Sequence, residues 1–446
     1  MRSRLLILLV ACVASASLSV ARGADHIRDF TKAKKSLQQQ LRSKQPEMRA
    51  AAIKQLGQFP IADAVRLVHG GLYDTDDKVR EAAYVSLLKQ GDKQEVCDTL
   101  LGIAKKDLNR ADGGIAAAPS LAVLLSSNLP SVRRDAVAFV DETVVSSKYG
   151  VEVLITLADE LGAHRAVADV APLARLSKTK SFANHFGLRR AVVAALTKIP
   201  DRQALGALIE MLDQLGGEAG ADAIEHLTQV TEQIFAADSD AWGRWWEDNR
   251  DSFEYPARSI QTPYRQASLA GATGNYYGLP LFAQRLVFVL DTSGSMNGRR
   301  IEAAKRELTR AIEGLPEHAH FDIVVFNGNV SVWQRQLVAA TESAKKTAMH
   351  YISVQATHSN TASYDALEAA MEFDTEAIYF LSDGAPYGGK ITAPVDIVAA
   401  ISAANKTRRI SIYTIGIGAG IPGGPLDMFL KTLAEQNLGL YRRVDG

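Results

Sequence analysis

Asp291-Thr292-Ser293-Gly294-Ser295 concentrates more chemistry than any other five residues of this 446-residue chain. A carboxylate and two hydroxyls stand at alternate positions. In a turn leaving a strand, such positions can face one side, and all three are hard oxygen donors suited to Mg²⁺ or Mn²⁺. The apolar run Leu286-Val287-Phe288-Val289-Leu290 directly precedes them, so a buried strand would deliver the donors to its C-terminal end. A complete cation shell needs oxygens from elsewhere in the chain. Two segments offer them: Thr361, within Ser359-Asn360-Thr361-Ala362-Ser363, and Asp383, within Phe380-Leu381-Ser382-Asp383-Gly384. Taken singly, a Ser or Thr at a strand end is a helix cap and Asp-Gly is a turn.

The elements that would position these residues begin at Arg285. Strand candidates are Leu286 to Leu290, Phe321 to Phe326, Val330 to Trp333, Ala377 to Leu381, Ile410 to Ile417 and Leu438 to Val444. Helical spacing fits Arg299 to Gly314, Thr341 to Tyr351, Ser363 to Phe373, Pro394 to Asn405 and Pro425 to Gln436. Apolar β-branched runs alternating with amphipathic helices imply a mostly parallel sheet covered on both faces. In open sheets of that kind, ligands bind beyond the carboxyl ends of the strands, which is the edge where all three segments fall.

In order and context, Asp291, Ser293, Ser295, Thr361 and Asp383 resemble the metal-ion-dependent adhesion site of von Willebrand factor type A domains, a family that includes inserted domains of integrins. The resemblance covers Arg285 to Gly446 and implies a doubly wound, Rossmann-like α/β domain. It implies that Ser293, Ser295 and Thr361 coordinate Mg²⁺ or Mn²⁺ through hydroxyls, with Asp291 and Asp383 acting directly or through water. Hydroxyls and waters neutralise a dication less than direct carboxylates would, so the implied partner is a protein that offers an acidic residue. The chain departs from the family in one place: the glycine pair that commonly precedes the threonine is replaced by Ser359-Asn360.

Between about Asp25 and Phe253 the apolar residues recur at three and four, which predicts helices throughout. Met48-Arg49, Val79-Arg80, Val132-Arg133 and Leu188-Arg189 each begin a face continued four, five and eight positions later. The continuations are Ala52, Ile53, Leu56; Ala83, Tyr84, Leu87; Ala136, Val137, Val140; and Val192, Val193, Leu196. This resembles HEAT-type repeats stacked into an all-α solenoid. The starts are unevenly spaced, which leaves an irregular helical domain open as the alternative. Trp242, Trp245 and Trp246, with Phe253 and Tyr255, are expected to cap the last repeat. The expected organisation is thus a leader over 1–24, helical repeats over 25–255, a Pro- and Gly-bearing linker over 256–284 and the α/β domain over 285–446.

Fifty basic and fifty acidic residues balance, which removes the simplest electrostatic drive toward nucleic acid. Met1-Arg2-Ser3-Arg4 followed by an apolar stretch from Leu5 to Val13 and small residues reads as a secretory signal peptide, too short to span a membrane. Leu9-Val10-Ala11-Cys12 also resembles a lipoprotein box, the weaker alternative. Cleavage beyond Cys12 leaves Cys97 as the only cysteine, so packing rather than a disulfide must hold the fold.

Gly418 to Gly423 matches a dinucleotide-binding spacing, but Pro422 disturbs the turn. No G-x-S-x-G elbow, H-E-x-x-H helix or P-loop is present. His358 is expected near the binding face, with Asp365 and Glu368 as solvated helix residues. The expectation is an exported, metal-dependent binding protein and no enzyme. Two alternatives stay open: a scaffold whose helical repeats make the main contact, and the metal-binding subunit of a chelatase or ATP-driven assembly.

Overall fold

The computed structural model describes residues 25–107, 116–144, 150–256, 272–418 and 420–445. The expected leader with Cys12, and residues 257–271 of the expected linker, lie outside them. Contacts divide the chain into two compact units, Met1–Ser181 and Phe182–Gly446.

The first unit is helical: α1 (25–40), α2 (Pro46–Leu56), α3 (Ala62–Gly70), α4 (Asp77–Leu88), α5 (Gln94–Asp107), α6 (Ala117–Leu125), α7 (Pro130–Val144), α8 (Val151–His164) and α9 (Val170–Leu176). The repeat faces are buried at Ala52, Ile53 and Leu56, at Val79, Ala83 and Leu87, and at Val132 and Ala136. Met48, in the first turn of α2, stays 43% exposed. Asp76 caps α4 by accepting from Lys78 N–H at 2.9 Å, while Pro130 opens α7 where no donor is needed. The arginine after the first face residue ties its helix to a downstream segment. Arg49 grips Asp74 with two 2.7 Å bonds, and Arg133 pairs with the buried Asp169. Cys97 is buried with Sγ 2.9 Å from Gly91 O, and burial pushes its thiol up, so it is a packing residue.

The fourth repeat helix belongs to the second unit. After α10 (Lys180–Asn184), α11 (Phe186–Leu196) buries Leu188, Val192, Val193 and Leu196, and is followed by α12 (Arg202–Glu210), α13 (Gly217–Thr231) and α14 (Ser239–Asn249). Trp242 is fully buried with its indole N–H on Ala236 O at 3.0 Å, and Trp246 lies against Gly206 of α12.

The contacts part between 181 and 182, so α11 to α14 fall in the same unit as the sheet. A buried polar network is the physical reason. Arg190 donates to Asp222 at 2.7 Å, and to Ser411 Oγ and Arg409 O at 2.7 and 2.9 Å. Ser411 Oγ and Tyr413 OH both donate to Glu218, at 2.8 and 3.1 Å. Charges removed from water at these positions are stable only while every partner is in place. Gly187 allows the close approach, since a Cβ there would meet Thr407 O at 2.2 Å.

The end of the expected linker is also core. Strands β1 (Asn275–Tyr276) and β2 (Leu279–Pro280) form a hairpin whose two turn residues, Tyr277 and Gly278, have φ of 53° and 79°. Tyr276 packs its buried ring 5.4 Å from that of Phe288, and Tyr379 OH donates to Pro280 O at 2.6 Å.

The main sheet contains β3 (Arg285–Asp291), β4 (His320–Phe326), β5 (Val330–Val332), β6 (Val338–Ala339), β7 (Ala377–Ser382), β8 (Ser411–Ile417) and β9 (Tyr441–Val444), in the order β5-β4-β3-β7-β8-β9 with β6 beside β4. Pairings among β4, β3, β7, β8 and β9 are parallel, and β5 and β6 close one edge antiparallel. Burial on both faces matches the continuous apolar strands. Helices α15 (Arg299–Glu313) and α16 (Glu342–Ser353) cover one face with Ile301, Leu308, Ile312 and Ile352. Helices α17 (Ser363–Met371), α18 (Pro394–Asn405) and α19 (Pro425–Gln436) cover the other with Leu367, Ile397, Phe429 and Leu430. The strand order reverses at β3, so a crevice opens beyond the carboxyl ends of β3 and β7.

Candidate metal centre

Asp291 is the last residue of β3 and is fully buried. Its two oxygens are fixed from two directions: Oδ1 accepts Ser293 N–H at 2.7 Å, and Oδ2 accepts Ser382 Oγ–H at 2.5 Å from the end of β7. The short 3₁₀ turn Gly294–Met296 then brings Ser293 Oγ and Ser295 Oγ to 3.0 Å, with Met296 buried beneath as an anchor. Ser295 Oγ donates in turn to Asp383 Oδ1 at 2.7 Å.

Thr361 reaches the same place from a loop. Its backbone exchanges hydrogen bonds of 2.8 and 2.9 Å with Tyr387, and His358 bridges to Ser293. A Cβ built on Gly384 would lie 3.3 Å from Ser295 Oγ and 3.5 Å from Thr361 Oγ1, so both hydroxyls crowd one face of that glycine. All five sequence-derived residues thus converge on the crevice between β3 and β7.

The departure at Ser359-Asn360 is resolved by backbone geometry. Asn360 has φ of 72°, the left-handed region that glycine enters freely and that asparagine tolerates best among the other residues. The loop is tied further by Gly328 N–H on Ser359 O at 3.0 Å and Ala362 N–H on Asn327 O at 2.8 Å.

Burial pushes the Asp291 carboxyl up to about 6, opposed by hydrogen bonds from Ser382 and Ser293 and assisted by the neighbouring charge of Asp383. Asp383 has a cationic partner that the sequence reading missed. Arg300 Nη1, in the first turn of α15, lies 2.5 Å from Asp383 Oδ2 and donates to Ser295 O at 3.3 Å. A cation in the first turn of a helix opposes the helix dipole, and that misfit was the signal available. Ser382, whose hydroxyl aims Asp291, likewise lay outside the expected donor set.

Asp365 and Glu368 do not reach the centre. Asp365 Oδ2 accepts Lys390 N–H at 2.9 Å and Glu368 pairs with the Lys390 ammonium, so they hold the 388–390 loop. Gly418 has φ of 61° and packs against the Arg300 side chain. Among the described residues no group of three or more His, Cys, Asp or Glu is placed to hold a metal. A cation here would rest on hydroxyls around two carboxylates, a donor set of hard oxygens only, which fits Mg²⁺ or Mn²⁺. Three apolar or aromatic side chains are exposed in segments that follow the carboxyl ends of β7 and β8: Tyr387 (72%) and Ile421 (80%) in loops and Val395 (79%) in the first turn of α18.

Residues 284–443 match the profile of the von Willebrand factor type A domain, and residues 35–118 that of HEAT repeats. Among curated proteins the chain is similar to inter alpha-trypsin inhibitor, heavy chain 4, of Mus musculus, 29% identical over 179 residues, or 37% of this chain and 18% of the relative. It is also similar to inter-alpha-trypsin inhibitor heavy chain H4 of Homo sapiens, 31% identical over 180 residues, 37% of this chain and 19% of the relative. The chain thus covers about a fifth of the length of these curated relatives.

Two solved structures are similar over part of the chain. One is a von Willebrand factor type A protein from Catenulispora acidiphila, with 21% identity, 37% of this chain, 40% of that chain and a TM-score of 0.32. The other is an aerotolerance-related membrane protein from Bacteroides fragilis, with 20% identity, 36% of this chain, 92% of that chain and a TM-score of 0.28.

Proposed function

We propose that this chain, which carries a von Willebrand factor type A domain behind HEAT repeats, is an exported protein-binding protein that captures an acidic residue of a partner through a Mg²⁺ or Mn²⁺ ion held by Asp291, Ser293, Ser295, Thr361 and Asp383. The observation that carries this reading is the convergence of those five oxygen-bearing side chains on one crevice at the sheet's switch point. When bound, a dication compensated mainly by neutral hydroxyls would keep an open position electrophilic enough for an outside carboxylate.

The chain's own residues prepare that position. Ser382 and Ser293 N–H aim the Asp291 carboxylate, the Thr361–Tyr387 backbone pair fixes the threonine loop, and Ser295 stands exposed at the mouth. The exposed Tyr387, paired with Thr361, and the exposed Val395 and Ile421 on segments following β7 and β8 support a protein partner rather than a small ion alone, because apolar side chains on that edge supply contact area. The hydroxyls of Ser293 and Ser295 lie against each other and against a carboxylate, an arrangement for ligation rather than nucleophilic attack, so the reading is a binding protein and no enzyme.

Among the described residues no helix is long and apolar enough to cross a membrane. The N-terminal leader, with its basic start and short apolar core, supports export. The test is a pull-down of the full chain from extracellular and envelope fractions with Mg²⁺, followed by elution with EDTA. Partners should elute with chelator and be absent for Asp291→Ala. Capture that ignores both chelator and Asp291→Ala would overturn the metal-bridged contact.

A further inference from the structure

We propose that Arg300 is a tethered counter-cation that competes with the metal for Asp383 and so sets the cation affinity of the centre, an inference that rests on the reading of the centre given above. Three observations carry it. First, Arg300 Nη1 lies 2.5 Å from Asp383 Oδ2, the carboxylate whose other oxygen accepts from Ser295, so the guanidinium holds one of the two acids that a dication would use. The same nitrogen donates to Ser295 O at 3.3 Å, which places the positive charge on the ligand loop itself.

Second, the position is electrostatically costly without that acid. Arg300 stands in the first turn of the 15-residue helix α15, where the positive end of the dipole repels a cation. Third, the fold makes room for it. Gly418, at the end of β8, has φ of 61°, and a Cβ there would come within 2.8 Å of Arg300 Nε. A separate strand end therefore cradles the guanidinium in its place on Asp383.

Two cations close to one carboxylate repel each other, so uptake of a dication disfavours the guanidinium on Asp383 and drives it off. A ligand shifts such an equilibrium only by its differential affinity, and the arginine lowers apparent cation affinity by the free energy needed to displace it. Arg300 is 37% exposed and its long side chain can swing into solvent, so the displacement needs no backbone movement. Asp291 is held separately by Ser382 and Ser293 and is untouched by the exchange.

The test is titration calorimetry of MgCl₂ and MnCl₂ into the full chain, comparing wild type with Arg300→Gln, Gly418→Ala and the double variant Asp291→Ala/Arg300→Gln, with thermal melts with and without Mg²⁺. Arg300→Gln should bind about tenfold more tightly, the change expected if the guanidinium leaves Asp383 free about one tenth of the time. Its melting temperature should fall without metal and recover with it. Gly418→Ala, which crowds the guanidinium from the other side, should shift affinity in the same direction, and the double variant should bind no cation.

Equal or weaker binding by Arg300→Gln and Gly418→Ala, with wild type binding normally, overturns the competitor role and leaves the centre standing. A structural role alone would lower the melting temperature with and without Mg²⁺ and leave affinity unchanged. Uptake by neither wild type nor Arg300→Gln overturns both the competitor and the centre. Uptake by Arg300→Gln alone supports both.

Discussion

Ser295 and Asp383, 88 residues apart in the chain, meet in a 2.7 Å hydrogen bond that joins the end of β3 to the end of β7. The contact spans the place where the sheet reverses its strand order, and it makes one donor set out of two loops. Removing the hydroxyl should therefore do more than delete one oxygen. Ser295→Ala is expected to weaken Mg²⁺ binding by about 10- to 100-fold, the range seen when the hydrogen-bonded support of a metal ligand is lost. Titration calorimetry reads this directly, and an unchanged affinity would contradict the assignment of Ser295.

Asn360 bears the strain of the loop that presents Thr361. At φ of 72° a β-branched residue should cost about 1–2 kcal/mol, while glycine should fit without penalty. Asn360→Val is therefore expected to lower both the melting temperature and cation affinity, and Asn360→Gly to preserve both. If valine were tolerated as well as glycine, the left-handed conformation would not be what this position requires.

Glu376 gives a pH dependence far from the centre. Burial raises its carboxyl to about 7 from an ordinary 4.5, opposed by the Gln284 N–H and assisted by the charge of Glu218. Because the folded value is the higher one, the folded state binds the proton more tightly. The stabilising contribution is whole below about 4.5, declines as pH rises from there to about 7, and is flat above. Glu376→Gln, which cannot ionise, should flatten that window and raise stability at pH 8 by up to about 3 kcal/mol. Chemical denaturation at pH 5 and pH 8 measures it, and a wild-type-like slope in the variant would remove Glu376 as the cause.

Arg190 ties α11 and α13 to the start of β8, and its loss leaves Glu218 and Asp222 buried without their cation. Arg190→Ala should destabilise Phe182–Gly446 by about 3–5 kcal/mol. Hydrogen exchange should then accelerate in β7 and β8 more than in α2 to α6. Unaltered protection of β8 would show that the helices merely rest on the sheet. A related expectation follows for truncation: a fragment starting at Phe182 should keep the sheet's melting behaviour, whereas one starting at Arg285 should lose it, together with the Tyr276 and Glu218 contacts.

Much of this protein was legible without coordinates. The runs Leu286–Leu290 and Ala377–Leu381 read as buried strands because both faces are apolar, and that is how they pack. The five oxygen-bearing residues were identifiable because each follows or precedes such an element, where a short polar residue has only the crevice to face. Pro394 and Pro425 marked helix starts to the residue, since a missing N–H costs nothing in a first turn.

Other features were hidden for equally physical reasons. The hairpin at Tyr277-Gly278 lacks the usual Asn-Gly signal, and the Pro and Gly residues around it mimic a linker. The division between Ser181 and Phe182 leaves no composition shift, because helical periodicity continues unbroken across it. Which helices join the sheet depends on where Arg190, Glu218 and Ser411 meet, residues separated by as many as 221 positions.

By itself the sequence determined the local elements, the placement of oxygen donors at their ends and the polar character of the crevice, because propensity and periodicity act between near neighbours. Only the tertiary structure decided that Arg300 sits on Asp383 and that the last repeat helices join the sheet through the buried network of Arg190, Glu218 and Ser411. Those outcomes depend on charge and shape complementarity between distant segments, which no short-range pattern encodes.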